Sequence, residues 1–403
     1  MGVLRTLLVT RRFWPHVGDD AACRLAALAE GFRRSGAHPH IVAARYAASW
    51  PKALVVRETQ LSRPAPAPRS DWSMSRYTRA LSNWLRDQAA GYDLIYADAM
   101  REEGAVAVET ARRVGVASVV RYGGVGRRSD HAWSLGSRNA RRWFSICLKA
   151  DRIIATRASA EQRLLAAGVG QDRIVRIDNG FLPTAPPDNA HRQAARRVLS
   201  QVNSDLFVPV DGQVLLSTNQ MLPGTGLDAL ARALPPLLER HPKLRVWLVG
   251  DGQLREELYD YLRGMGVRSQ VAMPGCFASL DEVLAAADAY VLPGDEDGLE
   301  YYFPRVLGAG VPAAVVDTVE TRRLLGEDFA SLPSFAAEDH PAMLGALERL
   351  LATPQQTLAQ ARLVRQRVLQ HSFQHSVEKH LRLFCQLTGK TLAGTPKTAE
   401  PLP

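Results

Sequence analysis

The stretch from 288 to 318 holds a dense set of side chains that could do chemistry. An apolar run at 289–292 is typical of a buried parallel strand, and a loop that starts with Pro293 and Gly294 follows it. Ligands of open α/β sheets bind beside the carboxyl ends of strands and the N-termini of helices, so this loop is predicted to line a binding site. A solvated loop without a ligand is the alternative. The loop carries four acidic residues, which are Asp295, Glu296, Asp297 and Glu300.

The elements that must position this loop follow a repeated strand–helix–strand alternation. Residues 3–10 predict a strand, 21–35 predict a helix with one apolar face, and 40–44 predict a second strand, which is the pattern of a parallel βαβ unit. The same alternation restarts at 213 and leads to the acidic loop. We therefore predict an α/β protein with two doubly wound, Rossmann-like domains facing a cleft. Residues 50–75, rich in Pro, Ser and Arg, predict an irregular excursion of polyproline character.

Domain boundaries are predicted where the composition changes. Residues 1–182 form the N-terminal domain, 183–208 a linker, and 209–372 the C-terminal domain. A C-terminal helix is expected at 373–388, with packing back on the N-terminal domain as one arrangement. Residues 389–403 are expected to be a disordered tail.

Length, charge and cysteine content limit the classes of protein. The chain has 403 residues, too many for one ordinary core, which favours two domains. No apolar run approaches the roughly 20 residues that a membrane span needs. The net charge of +9 favours an anionic partner, such as a nucleotide, a lipid phosphate or a membrane surface. Four scattered cysteines without metal-ligand spacing predict free thiols in a reducing compartment, so a cytoplasmic location is expected.

Fragments along nearly the whole chain match the motifs of one family, in that family's order. They are Pro-His-Val-Gly at 15–18, Leu-Val-Gly-Asp-Gly at 248–252, Val-Ala-Met-Pro-Gly at 271–275, Asp-Gly at 297–298 and Gly-Val-Pro at 310–312. Through them the chain resembles a GT-B-fold glycosyltransferase of the retaining family 4. The resemblance implies that a sugar moves, with retention, from an activated donor, expected to be a nucleotide sugar, to a hydroxyl of a lipid-linked or polysaccharide acceptor. It implies no cofactor and no metal site.

The resemblance also implies roles for particular residues of the second domain and of the first loop. Asp297 and Glu300 are implied to be the catalytic carboxylates, in contact with sugar hydroxyls. The residues implied to bind the donor are Gly18, Gln220, Thr225, Gly250, Gly298, Leu299 and Arg305.

Several positions depart from the family's pattern. Gln220 and Thr225 replace an Arg and a Lys that hold the donor diphosphate, Asp19 replaces a glycine, and Arg305 replaces a Glu. A diphosphate in a cleft needs charge-assisted hydrogen bonds, so Arg305, beside a helix N-terminus, is predicted to compensate. The alternative is a glycosyltransferase fold that has lost turnover and serves as a binding or scaffold protein.

A basic stretch in the first half predicts a second kind of contact. Cations flank apolar side chains there, which suggests peripheral binding to an anionic membrane surface near a lipid-linked acceptor; a solvated helix face over a buried stripe is the alternative. No nucleic-acid-binding module is present, so no nucleic-acid partner is expected. The cations are Arg127, Arg128, Arg138, Arg141, Arg142 and Lys149, and the apolar residues are Trp133, Trp143, Phe144 and Leu148.

Overall fold

A computed structural model describes residues 3–13, 20–186, 188–277 and 279–392 of the protein. The strands are β1 (Arg5–Val9), β2 (His38–Val42), β3 (Ala53–Val56), β4 (Thr59–Ser62), β5 (Leu94–Ala97), β6 (Ala117–Tyr122), β7 (Arg152–Ala155), β8 (Ile174–Arg176), β9 (Gln213–Ser217), β10 (Leu244–Val249), β11 (Val271–Gly275), β12 (Ala289–Leu292), β13 (Ala313–Asp317) and β14 (Ser334–Ala336). The helices are α1 (Asp20–Arg34), α2 (Asp71–Gln88), α3 (Glu102–Val114), α4 (Asp130–Leu135), α5 (Arg138–Cys147), α6 (Ala158–Ala166), α7 (Asn189–Val202), α8 (Leu227–Arg240), α9 (Arg255–Gly264), α10 (Asp281–Ala286), α11 (Tyr302–Ala309), α12 (Val319–Leu325), α13 (His340–Ala352), α14 (Pro354–Val368) and α15 (Phe373–Thr388).

The chain forms two α/β units, each built on its own mainly parallel sheet, which confirms the predicted fold class. The first unit contains Ala21–Asn179 together with β1 and the stretch from Gln374, and the second contains Asp20 and Gly180–Phe373. The first sheet has the order β3-β4-β2-β1-β5-β6-β7-β8, and the second has the order β11-β10-β9-β12-β13-β14. In the first sheet the chain adds strands on one side of β1 and then, from β5, on its other side. In the second sheet the same change occurs between β9 and β12, so each sheet has one topological switch point.

The first unit takes its shape from helices that bury one apolar face against the sheet. In α1, Leu25, Leu28 and Phe32 recur at helical spacing, and all three are buried. In the sheet, β5 is buried along its whole length and β7 is apolar and buried after Arg152, as a parallel sheet covered on both faces requires.

The predicted irregular excursion at 50–75 was wrong, because it contains a hairpin. Strands β3 and β4 pair antiparallel, with Val56 opposite Thr59. Arg57 and Glu58 form the two-residue turn at φ 46° and 63°, in the left-handed region that such hairpins require. The turn lacks the usual Asn-Gly or Asp-Gly signal, and the proline-rich composition nearby hid the two short strands.

The last helix, α15, packs on the first unit. Gly31 of α1 lies so close to it that a Cβ there would come 2.5 Å from Val377 Cγ2. The rings of Phe32 and Phe384 meet edge to face with centroids 5.4 Å apart. Of the tail predicted to be disordered, 389–392 are described: the Lys390 ammonium lies 2.7 Å from Asp93 Oδ2. Residues 393–403 lie outside the described residues.

The stretch predicted to be a linker, 183–208, is instead part of the second unit. Helix α7 packs against α10, and the buried Arg196 anchors it. The Arg196 guanidinium donates to the carbonyls of Ala286 and Gly212, at 3.0 and 3.1 Å, and pairs with Asp288. The polar, Arg-containing sequence of this helix suggested a solvated connection. Arg196 is instead buried, and its guanidinium is bound by two carbonyl oxygens and one carboxylate.

Candidate functional site

The acidic loop lies at the switch point of the second sheet, together with the loop that follows β9. Gly226, just before α8, brings these two loops into backbone contact. Its φ is 78°, and a Cβ there would lie 2.1 Å from Pro293 O, so only glycine fits. The loops 218–226 and 293–301 therefore form one surface at the carboxyl edge of the sheet.

The predicted donor-binding residue Gly250 joins a third loop to this surface. It follows β10, its N–H donates to Gly275 O at 3.1 Å, and a Cβ at its position would lie 2.3 Å from Asn219 O. Its role in donor binding stays a prediction, but its backbone packs directly on the 218–226 loop.

Asp297 and Gln220, two of the predicted site residues, are in direct contact. The Asp297 carboxylate accepts the Gln220 backbone N–H at 2.7 Å and its side-chain amide at 3.3 Å. The Asp297 carbonyl accepts from Asn219 Nδ2 at 3.3 Å, so both ends of the residue are fixed. Gly298 and Leu299 continue this loop, with Gly298 at φ 86° and the Leu299 side chain buried.

Glu300 stands beside a carboxylate that sequence reasoning missed. Asp20 Oδ2 accepts the Glu300 N–H at 2.8 Å, and Asp20 Oδ1 accepts those of Tyr301 and Tyr302 at 2.9 and 2.7 Å. Burial raises the pKa of Asp20 well above its usual range, and the charges of Asp297 and Glu300 raise it further. No sequence signal pointed to Asp20, because 280 positions separate it from Glu300.

Arg305 and Thr225 are engaged in local contacts. The Arg305 guanidinium forms an ion pair with Asp281 and donates to the Tyr301 hydroxyl at 3.1 Å. The Thr225 side chain is fully buried, and its hydroxyl donates to Leu222 O at 2.7 Å within the same turn. Compensation by Arg305 for the missing phosphate-binding cations stays a prediction. Gly18 lies outside the described residues.

The switch point of the first sheet carries charged groups that the sequence reading did not single out. Asp98, after β5, pairs with Arg24 and Arg121, and all three side chains are buried. Arg11, after β1, pairs with Glu102 and Glu103. Each of these acids is matched by a guanidinium.

The basic stretch of the first unit combines exposed cations with aromatic side chains that face the core. Arg141 and Arg142 are exposed, whereas Phe144 is buried and Trp133 and Trp143 pack against the hydrophobic core. This arrangement agrees with the solvated-face alternative, and it leaves a basic surface in place. Among the described residues, no helix has the length and apolar character needed to cross a membrane.

Two family models match the chain, one in each unit. Residues 23–183 match the model described as "Glycosyltransferase Family 4", and residues 212–353 match "Glycosyl transferases group 1". The chain belongs to the GT-B glycosyltransferases and resembles their family 4. The match to both models in chain order agrees with the predicted resemblance.

Curated relatives and solved structures point to the same fold. The chain is 25% identical over 149 residues to lipopolysaccharide core biosynthesis glycosyltransferase LpsE of Rhizobium meliloti, covering 37% of this chain and 39% of that protein. It is 29% identical over 118 residues to LpsD of the same organism, covering 29% and 33%. These alignments span about two fifths or less of the relatives' lengths.

Among solved structures, sucrose-phosphate synthase from Thermosynechococcus elongatus superposes with a TM-score of 0.71 at 17% identity, covering 96% of this chain and all of that one. HepE from Anabaena, in complex with UDP and glucose, also superposes with a TM-score of 0.71, at 16% identity over 95% of this chain and 99% of that one. At these identities the superpositions show the fold alone.

Proposed function

We propose that the protein transfers a glycosyl group, with retention, from a nucleotide-sugar donor to a hydroxyl of a glycan acceptor in lipopolysaccharide or polysaccharide assembly. The observation that carries the proposal is the placement of two buried acids, Asp297 and Glu300, at the switch point of the second sheet. The names of the lipopolysaccharide relatives support the acceptor class. HepE, which has the same fold, was solved with UDP and glucose, and this supports the donor class.

The proposed mechanism gives the two carboxylates separate tasks. As the bond between the sugar and its leaving group weakens, positive charge develops on the sugar ring, and a nearby fixed carboxylate stabilises it. Asp297 is held by the backbone and side chain of Gln220, so its position is set before the donor binds. Glu300 is proposed to accept hydrogen bonds from sugar hydroxyls. The backbone amides at the N-terminus of α11, and not the Glu300 carboxylate, are proposed to stabilise the negative leaving group. No cofactor takes part in this proposal, because the nucleotide sugar is a substrate.

The protein is proposed to work in the cytoplasm, and the exposed basic residues of α5 offer a peripheral contact with an anionic membrane that carries the acceptor. Arg141 and Arg142 are the cations to test. Replacing both with Glu should weaken binding to anionic liposomes, as measured by sedimentation. Unchanged binding would count against the membrane contact without affecting the transfer reaction.

A donor panel tests the transfer reaction. The purified protein is incubated with several nucleotide sugars and with truncated lipopolysaccharide acceptors, and products are detected by mass spectrometry. We expect one donor to be used, with the product's anomeric configuration, read by NMR, equal to that of the donor. Asp297→Asn and Glu300→Gln should each reduce the rate by about 10²–10³-fold, the usual effect of losing one electrostatic contact to a transition state. Asp295→Asn, which changes a half-buried acid of the same loop, is the matched control.

A second candidate function is that of a sugar-nucleotide or glycan binding protein without turnover. It is favoured by Gln220 and Thr225 at the positions of the family's phosphate-binding cations, and by the pairing of Arg305 with Asp281. Calorimetric binding of a nucleotide sugar or of an acceptor glycan without any product would favour this candidate. Product of inverted configuration would contradict retention but keep the transferase proposal.

A further inference from the structure

The N-terminus of α11 is capped by a side chain from a distant part of the chain. The backbone N–H groups of Glu300, Tyr301 and Tyr302, which we call the amide nest, all donate to the Asp20 carboxylate at 2.7–2.9 Å. Tyr301, which occupies the N-cap position, supplies no side-chain cap of its own. Several amides that converge on one oxyanion at a helix N-terminus are the usual arrangement for binding phosphate.

The surroundings of Asp20 are unfavourable for a negative charge. The residue is only 5% exposed, and the two charged side chains that raise its pKa, Asp297 and Glu300, have the same sign. Among the described residues, the hydrogen bonds to the Asp20 carboxylate come from three backbone amides rather than from a cationic side chain. A buried carboxylate without a cation is costly unless hydrogen bonds hold it, and here the amide nest supplies them.

The amide nest therefore already contains an oxyanion. A phosphate oxygen and a carboxylate oxygen both accept N–H groups at about 2.7–2.9 Å, so they would use the same three donors. Two anions cannot share this position, because each would lose its donors and face the charge of the other. An incoming phosphate also meets Asp297 and Glu300 nearby.

We propose that Asp20 is a built-in competitor of the donor: its carboxylate occupies the oxyanion position of the amide nest, and a phosphate-bearing donor binds there only by displacing it. The donor class rests on the proposed function, whereas the occupancy of the nest does not. The contact makes the resting protein autoinhibited, and any event that removes Asp20 from the nest raises its affinity for anions.

Calorimetry with inorganic pyrophosphate and with UDP, at fixed ionic strength and pH 7, tests the competition. Asp20→Ala empties the nest, and Asp20→Asn keeps the shape of the side chain without its charge. Asp295→Asn removes a half-buried acid of the same loop whose side chain is not among the described partners of the nest, so it is the matched control. Thermal melting checks that each variant folds, and Asp20→Asn keeps the test valid if Asp20→Ala does not.

We expect both Asp20 variants to bind pyrophosphate and UDP about tenfold or more tightly than the unmodified protein, a change of about 1.4 kcal/mol. The control should bind as the unmodified protein does. Folded Asp20 variants that bind neither anion more tightly would overturn the inference and leave Asp20 as a structural cap. Tighter pyrophosphate binding without transfer from any nucleotide sugar would support the inference and contradict the proposed function. Transfer by the unmodified protein, with unchanged anion affinity in the Asp20 variants, would support the proposed function and contradict the inference.

Discussion

The two switch points handle buried acids in different ways. At the first, Asp98 is paired with Arg24 and Arg121, so its charge is cancelled by side chains that belong to the same core. At the second, Asp20 and Asp297 are held by amide N–H groups, and Arg305 pairs with Asp281 instead. Amides orient a carboxylate without cancelling its charge. The first arrangement is suited to stability, and the second orients its acids through hydrogen bonds at the predicted binding surface.

The largest effect should come from breaking the first arrangement. Asp98→Ala leaves two buried guanidinium groups without their carboxylate and also removes the acceptor of the Tyr96 hydroxyl, which lies 3.1 Å away. We expect a loss of about 3–5 kcal/mol in the free energy of unfolding, measured by urea denaturation. Glu58→Ala, which removes an exposed partner of Arg33, should leave the free energy of unfolding nearly unchanged, because solvent screens this pair. A loss for Asp98→Ala as small as that of Glu58→Ala would mean that the buried pairs do not cancel the charge as described.

A smaller effect should appear when the pH is lowered, and the contributions of His380 in the first unit and Asp20 in the second have opposite signs. Burial, with the cations Arg24 and Arg121 nearby, lowers the pKa of His380 to about 3. The unfolded chain takes up this proton near pH 6.5, so the first unit loses stability as the pH falls below that value. The loss should be about 2 kcal/mol at about pH 5. Hydrogen exchange of the β5 and β6 amides at pH 7 and 5, corrected for intrinsic rates, measures it.

His380→Phe is the control for this titration, because the ring packs against Phe32 and Phe384 and phenylalanine cannot take up a proton. In this variant the β5 and β6 amides should lose protection less on acidification. Asp20 works in the other direction: its raised pKa means that the folded state binds a proton more readily than the unfolded chain, so this contribution stabilises the second unit as the pH falls. Equal acid sensitivity of His380→Phe and the unmodified protein would contradict the assignment.

The smallest effect should come from making the second switch point resemble the first. Gln220→Arg adds a cation next to Asp297, where the Gln220 side-chain amide lies 3.3 Å from the carboxylate. We expect UDP affinity, measured by calorimetry, to increase by up to about tenfold through a charge-assisted contact with phosphate. Gln201→Arg, an exposed position on α7, adds the same charge elsewhere and should leave the affinity unchanged. Equal gains in both variants would show that net charge, rather than this position, governs UDP binding.

The sequence predicted the parts of the fold that depend on local pattern. The alternation of apolar runs and helical spacing located the strand at 289–292 and the helix after Tyr301. The family motifs named Asp297, Gln220 and Thr225 as residues of one site, and the structure adds the contact between the first two. The sequence analysis did not predict the β3–β4 hairpin, because Arg57 and Glu58 adopt left-handed backbone conformations that these residue types rarely adopt. The intrinsic preferences of Arg and Glu do not predict such a turn, because the packing of the two flanking strands determines it.

The contacts that decide the electrostatics of the site were beyond a sequence reading for another reason. Asp20 contacts the amide nest although about 280 positions separate them in the sequence, and Arg305 forms an ion pair with Asp281. Both outcomes depend on how loops from separate strands come together at one edge. The folded arrangement determines which donor each anion contacts. Residue types alone could therefore identify Arg305 as a candidate but could not predict its partner.

The return of α15 to the first unit has a consequence for the order of events during synthesis. The second unit is nearly continuous, from Gly180 to Phe373, and can fold as soon as that stretch has left the ribosome. The first unit is made earlier, yet its α1 surface at Gly31 and Phe32 stays uncovered until Val377 and Phe384 emerge. The domain that is translated first therefore finishes folding last, and a nascent chain halted before residue 374 presents an apolar surface for chaperones to bind.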